Sequence, residues 1–260
     1  MAEVTSHPPG AFTWVELGTS DQNAANEFYG KLFGWGFSDL PMGPSGVYTT
    51  FRLKGKDAGA AYTLDPVMHK GVPPHWMLYV ATPDADATAA KAKELGGTVM
   101  MPPFDVFDFG RMTVLQDPTG ATISIWQEKT HHGIQIQNEH GAFCWGQLNT
   151  NDTAKAEAFY RALFGWDAKT GTGGGMTYTE WILGGVPFGG MMTLPPGAGA
   201  PPHWLAYFAV DDCDASAAKA ASLGATTYVP PTDIPGTGRF AVFADPQGAT
   251  FAIYKDTASR

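Results

Sequence analysis

"TWVELGTSDQNAANEFYGKLFGW" runs from Thr13 to Trp35, and "CWGQLNTNDTAKAEAFYRALFGW" runs from Cys144 to Trp166. Both have the same order of features: an alternating run, an Asp, then FY seven residues later, then LFGW. Alternation along the first part suits a half-buried strand. The part after Asp21 offers an acidic or Ser start, a helical stripe at Ala24, Phe28, Lys31 and Leu32, and a closing Gly. The stretch therefore predicts a strand followed by a helix, twice in one chain.

Working outward, "PPHWMLYV" from Pro73 matches "PPHWLAYF" from Pro201. "PPFDVFDFGRMTVLQDPTGATISIW" from Pro102 matches "PPTDIPGTGRFAVFADPQGATFAIY" from Pro230. The spacing between copies is 131 at Phe28 and Phe159 (159 − 28) and 128 at Pro73 and Pro201 (201 − 73). One three-residue length change is expected between them, in hairpin-rich sequence of the kind that tolerates it. Short β-rich runs such as "GVYTTFRLKG" and "KDAGAAYTL" follow the first helix. Then come a further strand, "HWMLYVAT", a helix, "PDADATAAKAKELGG", stopped by its Gly pair, and more strands. Each quarter reads as βαβββ. The predicted class is α+β, with four βαβββ modules grouped as 1–128 and 142–260 and a polar linker at 129–141.

The 260 residues suffice for two ordinary domains. A formal charge of −9, with no run of Lys or Arg longer than two residues, argues against nucleic acid and anionic membrane as partners. The opening "MAEVTSHPPG" lacks a basic stretch followed by an apolar one, and no window approaches a membrane span, so a soluble cytoplasmic protein is expected. Cys144 and Cys213 have no CxxC spacing and read as buried thiols.

The strand, Asp and FY/LFGW pattern, together with "DPTGA" and "DPQGA" before the last strand of each half, resembles the vicinal oxygen chelate superfamily, the glyoxalase, bleomycin-resistance and extradiol-dioxygenase group. "PPHW", "VDDCDASAAKAASLGA" and "GRFAVFADPQGA" are similar to its tandem-domain actinobacterial branch, labelled glyoxalase-like or hydroxylase-like. The resemblance implies that two modules pair into an eight-stranded, half-open β-cup, with two cups in this chain and no second copy needed to complete them. It also implies metal ligands: a His, Gln or Glu on a module's first strand and a Glu on its last. Those positions hold Trp14, Met77 and Ser124 in the first half and Trp145, Leu205 and Ala252 in the second. Indole, thioether, alkyl and hydroxyl groups do not make a site for a hard divalent ion, so no metal and no other cofactor is expected.

Strand parity places further residues in the cups. Glu16 and Gln147 lie two residues after the tryptophans, and His75 and His203 lie two before the Met77 and Leu205 slots. Tyr79 and Tyr207 lie two after those slots. Glu16, His75 and His203 are the candidate acid–base groups. Trp14, Tyr79, Trp145, Gln147 and Tyr207 are candidate ligand contacts, joined by Arg111 and Arg239 as anion clamps and by Asp105 and Asp233 on loops able to close over a cup. Each has a structural alternative: a histidine hydrogen-bonded after a Pro pair, a tryptophan in the core, an Arg anchoring a turn, an Asp capping a loop. Glu16 against Gln147 points to the first cup for any proton transfer.

"GTGGGM" from Gly171 reads as a hairpin turn rather than a phosphate loop, and His131 and His132 as linker residues able at most to bind metal adventitiously. No GxSxG, HExxH or CxxC signature occurs. The expected function is binding of a small hydrophobic or aromatic molecule, with or without acid–base chemistry. The alternatives are a metal-dependent glyoxalase or a dioxygenase/hydroxylase of secondary or aldehyde metabolism, using for instance His75 with Glu16, and an interaction protein with vestigial cups.

Overall fold

A computed structural model describes residues 4–43, 46–173, 176–195, 197 and 199–257. In the first half the order is β1 (Phe12–Thr19), α1 (Gln22–Phe33), β2 (Gly36–Pro41), β3 (Val47–Leu53), β4 (Lys56–Thr63), β5 (His75–Ala81), α2 (Ala85–Glu94), β6 (Thr98–Val106), β7 (Gly110–Gln116) and β8 (Thr122–Glu128). The second half repeats it as β9 (Phe143–Thr150), α3 (Thr153–Phe164), β10 (Asp167–Gly173), β11 (Met176–Leu183), β12 (Val186–Thr193), β13 (His203–Ala209), α4 (Cys213–Ser222), β14 (Thr226–Ile234), β15 (Gly238–Ala244) and β16 (Thr250–Asp256). The four βαβββ modules are present. Gly174 and Gly175, within the expected hairpin turn of "GTGGGM", lie outside the described residues, while β10 and β11 on either side pair antiparallel.

Local chemistry sets the helix ends. Asp21 and Asp152 accept from the backbone N–H three residues on, at 3.0 and 2.9 Å, a cap that typically contributes about 0.5–2 kcal/mol. Gly34 and Gly165 end the helices in the left-handed region, at φ of 75° and 73°. The buried stripe of α1 is Gln22, Ala25, Asn26, Phe28, Tyr29, Leu32 and Phe33. Ala24 and Lys31 therefore fall outside it, and Lys31 pairs instead with Glu27 at the surface.

Each half forms one eight-stranded sheet, ordered β2-β3-β4-β1-β5-β8-β7-β6 in the first and equivalently in the second. The two modules join where β1 runs antiparallel to β5, and β9 to β13. Val15 and Leu17 are fully buried on the face that carries the helices, so Trp14, Glu16 and Gly18 face the cup. The helix-bearing faces of the two sheets pack against each other. Phe33 lies 5.2 Å from Phe208, Phe12 lies 5.8 Å edge-on to Phe143, and Phe28 lies 6.0 Å from Phe251. The cups consequently open away from each other.

The repeated phrases are joints between the halves as well as anchors within each. Tyr29 donates its hydroxyl to Asp245 Oδ2 at 2.9 Å and accepts from Trp76 Nε1 at 2.9 Å. In the mirror-image contact Tyr160 donates to Asp117 Oδ2 at 2.8 Å and accepts from Trp204 Nε1 at 2.9 Å. The FY phrase, the PPHW phrase and the DPxGA turn thus meet, each turn coming from the opposite half. Burial pushes the Asp245 carboxyl above its usual range, and it pushes both tyrosines well above theirs, with the nearby carboxylate charge adding to it.

The length difference divides into two steps. Tyr48 and Tyr178 occupy matching positions at a spacing of 130 (178 − 48), as do their partners Tyr62 and Met192 (192 − 62). One residue is therefore lost between the first helix and β3 and two between β4 and β5, rather than three at one place.

Candidate functional site: the first cup

Cross-strand neighbours on β4, β1 and β5 set the floor of the first cup. Glu16 pairs with Ala60 on one side and Met77 on the other; Gly18 pairs with Tyr62 and His75; Trp14 pairs with Tyr79, which in turn pairs with Ser124. Tyr48 on β3 faces the same space. Its hydroxyl donates to Glu16 Oε1 at 2.7 Å, and Tyr79 donates to Glu16 Oε2 at 2.6 Å. Trp14 Nε1 donates to the Tyr48 oxygen at 3.0 Å. Each carboxylate oxygen is thus held by one tyrosine proton, at lengths expected for hydrogen bonds to a charged acceptor.

Burial pushes the Glu16 carboxyl above its usual range, and the two tyrosine hydrogen bonds work against that shift without cancelling it. Burial, reinforced by the Glu16 charge, pushes Tyr48 and Tyr79 well above 10, so both remain donors. His75 Nδ1 lies 2.8 Å from the Pro73 carbonyl oxygen and donates to it. Its Nε2 therefore carries the lone pair, and burial pulls the imidazole below its usual pKa. Ser124 is fully buried, and its Oγ has no hydrogen-bond partner among the described residues.

The linker enters this site. The His131 ring stands edge-on to Trp14 at 4.5 Å and to Trp126 at 5.8 Å, and Trp126 Nε1 donates to the His131 carbonyl at 3.0 Å. Ile134 N–H bonds Thr13 O at 2.8 Å and so binds the linker to the start of β1. Trp14 is left only 4% exposed. His131 is a covering residue of the first cup, not a free linker residue.

The second cup keeps the frame and changes the groups. Gln147 Oε1 accepts from Tyr178 at 3.2 Å and Tyr207 at 3.1 Å, and Trp145 Nε1 donates to Tyr178 at 2.9 Å. Gln147 Nε2 donates to Asn149 Oδ1 at 2.9 Å, and Asn149 Nδ2 lies 3.2 Å from His203 Nε2. His203 Nδ1 bonds Pro201 O at 2.8 Å. With Nδ1 as the donor, His203 Nε2 accepts from Asn149, and a neutral network runs from Tyr178 to the histidine. Trp145 is half-buried.

Four expected contacts lie elsewhere. Arg111 grips Asp86 of α2 at 2.6 and 2.9 Å and lies 3.4 Å from Asp105, which Lys129 also meets at 2.9 Å. Arg239 grips Asp214 of α4 at 2.9 and 2.8 Å and Asp233 at 2.8 Å. Arg111 pairs across the strands with Gln127, whose side chain accepts from Ala85 N–H at the start of α2. That is the helix-bearing face, so the two arginines and two aspartates tie helices to strands and are not gathered in a cup. Reading from sequence missed Tyr48, Tyr62 and Trp126; it places Ser124 in the cup only as an unfilled metal-ligand position, and His131 only in the linker. The recurrence of Tyr at 48 and 178, in matching β-rich runs, was the available signal for the first of these.

Residues 11–125 and 140–253, one span for each cup, match a family model described as the Glyoxalase/Bleomycin resistance protein/Dioxygenase superfamily. The chain belongs to this superfamily. A relative from Mycobacterium tuberculosis (strain CDC 1551 / Oshkosh), named "Putative glyoxylase CFP32", is 44% identical over 257 residues, covering 98% of each chain. A Streptomyces protein (strain C5), named "Anthracycline biosynthesis protein DauV", is 37% identical, covering 96% of this chain and 94% of that one. Among solved structures, the Mn(II)-bound glyoxalase from Novosphingobium aromaticivorans superposes with a TM-score of 0.67 at 14% identity, covering 95% of this chain and 82% of the other.

A divalent metal is implied by the superfamily. Trp14, Met77 and Ser124 occupy the expected ligand positions of the first cup, and among the described residues no three His, Cys, Asp or Glu side chains come together as a metal site. The one carboxylate present, Glu16, is already engaged by two tyrosines. This donor set does not fit the family metal. Among the described residues, no helix is long and apolar enough to cross a membrane.

Proposed function

We propose that the first cup binds a small hydrophobic or aromatic molecule without a divalent metal, and that Glu16 is its acid–base group. The observation that carries this reading is the Glu16 carboxylate suspended between Tyr48 and Tyr79, in a frame where the other cup has an amide. A carboxyl with a raised pKa holds a proton more tightly, so its conjugate base accepts one more readily near neutral pH. Glu16 takes a proton from an acidic C–H or O–H of the ligand. The indoles of Trp14 and Trp126 supply the apolar wall.

The relative named for anthracycline biosynthesis favours a flat polycyclic ligand; the one named a glyoxylase favours an aldehyde. The second reading, metal-dependent glyoxalase or dioxygenase/hydroxylase chemistry, draws on that name and needs ligands beyond Glu16 and His75. In the first reading the chain acts as a monomer on free small molecules in the cytoplasm. The test is to compare wild type and Glu16→Gln against aromatic ketones and aldehydes, with elemental analysis of untagged protein. Glu16→Gln should lower turnover by roughly 100-fold or more while leaving ligand affinity within several-fold. Full turnover by the variant would remove Glu16 from the chemistry, and stoichiometric Mn, Fe, Ni or Zn would overturn the metal-free assignment.

A further inference from the structure

One row of the sheet differs between the cups in a way that the acid–base reading does not use. In the first cup the row across β4, β1 and β5 is Tyr62, Gly18, His75; in the second it is Met192, Asn149, His203. It lies two residues along the strand from Glu16, about 7 Å away at the backbone. Gly18 has an ordinary backbone conformation, so its lack of a side chain serves space rather than torsion. A Cβ there would stand 3.0 Å from the Tyr62 hydroxyl oxygen and 3.2 Å from His75 Cε1, and 3.0 Å from a Leu64 methyl. The hydroxyl and the imidazole therefore converge over Gly18.

In the second cup the space above the equivalent backbone contains the Asn149 side chain, which is 6% exposed and reaches His203 Nε2. In the first, neither the Tyr62 hydroxyl nor His75 Nε2 has a hydrogen-bond partner among the described residues, and both residues are half-buried at the mouth. The Tyr62 ring also lies 5.8 Å from the His69 ring.

We propose that Tyr62 and His75 form a second polar station in the first cup, which binds a hydroxyl group of the ligand, and that Gly18, lacking a side chain, is the residue that lets the two groups converge. This rests on the reading of the first cup as a binding site for an aromatic molecule. The chemistry selects the group. His75 Nε2 offers a lone pair, because its Nδ1 proton is held by Pro73, and Tyr62 offers a proton. A ligand hydroxyl donates to the first and accepts from the second. A carbonyl uses only the tyrosine and leaves Nε2 unpaired, a mismatch of the kind that separates hydroxylated from unhydroxylated ligands. The spacing from Glu16 suits a molecule with its reacting position at the floor and the hydroxyl about one ring away.

The test is a tryptophan-fluorescence titration of the full chain with 2-hydroxyanthraquinone and with anthraquinone at pH 6. Wild type should bind the hydroxylated probe about tenfold more tightly, the range of one hydrogen-bonded group. Gly18→Asn should abolish the preference by forcing the Tyr62 hydroxyl and the His75 ring apart. Tyr62→Phe, which keeps the ring, should weaken it several-fold and decides the matter if Gly18→Asn fails to fold. Equal binding of both probes by wild type would overturn the station and leave the cup reading intact. A preference that survives both substitutions would place the hydroxyl elsewhere and overturn it too. Binding of neither probe would overturn the cup reading and the station with it.

Discussion

The two cups share a frame and differ in what fills it. Trp14, Tyr48 and Tyr79 surround a carboxylate; Trp145, Tyr178 and Tyr207 surround an amide in the same geometry. A carboxylate has no proton to pass on, so its network ends at Glu16, and His75 Nε2 has no hydrogen-bond partner among the described residues. An amide donates as well as accepts, so the second network continues through Asn149 to His203. The O-for-NH₂ difference at Glu16 and Gln147, with Gly18, Tyr62 and Ser124 against Asn149, Met192 and Ala252, separates a cup with unpaired polar groups from one whose groups satisfy each other. Conserving the frame and varying the groups inside it is how a duplicated fold can come to carry different functions.

The largest expected effect tests what the halves hold in common. Tyr29→Phe and Tyr160→Phe each strand a buried indole N–H and a carboxylate oxygen, and each should cost about 2–4 kcal/mol in urea unfolding. A large inequality between them would mean that the two joints are not equivalent. Gln147→Glu should come next. It removes the donor to Asn149 and puts a carboxylate beside its Oδ1, and about 2 kcal/mol of stability at pH 7 should be lost. An unchanged unfolding midpoint would show that the second cup tolerates a charge as well as the first.

The reverse substitution, Glu16→Gln, has a pH signature. Because burial raises the Glu16 pKa in the folded chain, its contribution to stability is full below the unfolded carboxyl pKa and is lost as pH rises through the folded one. The variant has no such loss. Its Tm relative to wild type should therefore rise as pH goes from about 4 to 7, on top of a pH-independent cost for the Gln Nε2, which has no Asn149 counterpart at Gly18. A difference independent of pH would mean that ionisation of Glu16 is not what separates the proteins. Smaller still, Arg111→Gln removes an exposed ion pair and should leave Tm and probe binding nearly unchanged; a lost affinity would return Arg111 to the binding site.

The fold was legible because the chain states it twice. Phrases that recur in order fixed the modules, and Asp21 and Asp152 gave a ruler from which strand parity placed Trp14, Glu16 and their copies on the cup face. Parity needs an anchor, however. Arg111 in "GRM" and Asp105 and Asp233 in "PPxD" have no such ruler and read as turn and loop residues; they lie instead on β7, β6 and β14, with β6 bulged between Val99 and Phe104. Tyr48 escaped because the lost residue before β3 breaks the alignment between copies, and Tyr62 because its counterpart is Met192 and offers no repeat. His131 escaped because a polar linker gives no periodicity, and only the folded chain shows it standing against Trp14. The exchange of Tyr29 and Asp245 across the halves could not be read either, since matching a helix to its own half's turn is equally compatible with the sequence.

That exchange bears on the origin of the chain. Each half carries a tyrosine and an aspartate but satisfies neither with its own partner, so a solitary half could complete both contacts only by meeting another half face to face. A Tyr29 against the Asp117 of a second first-half would suffice. The tandem chain has the logic of a fused homodimer, in which a mutation in one ancestral gene copy is answered, if at all, by a compensating change in the other.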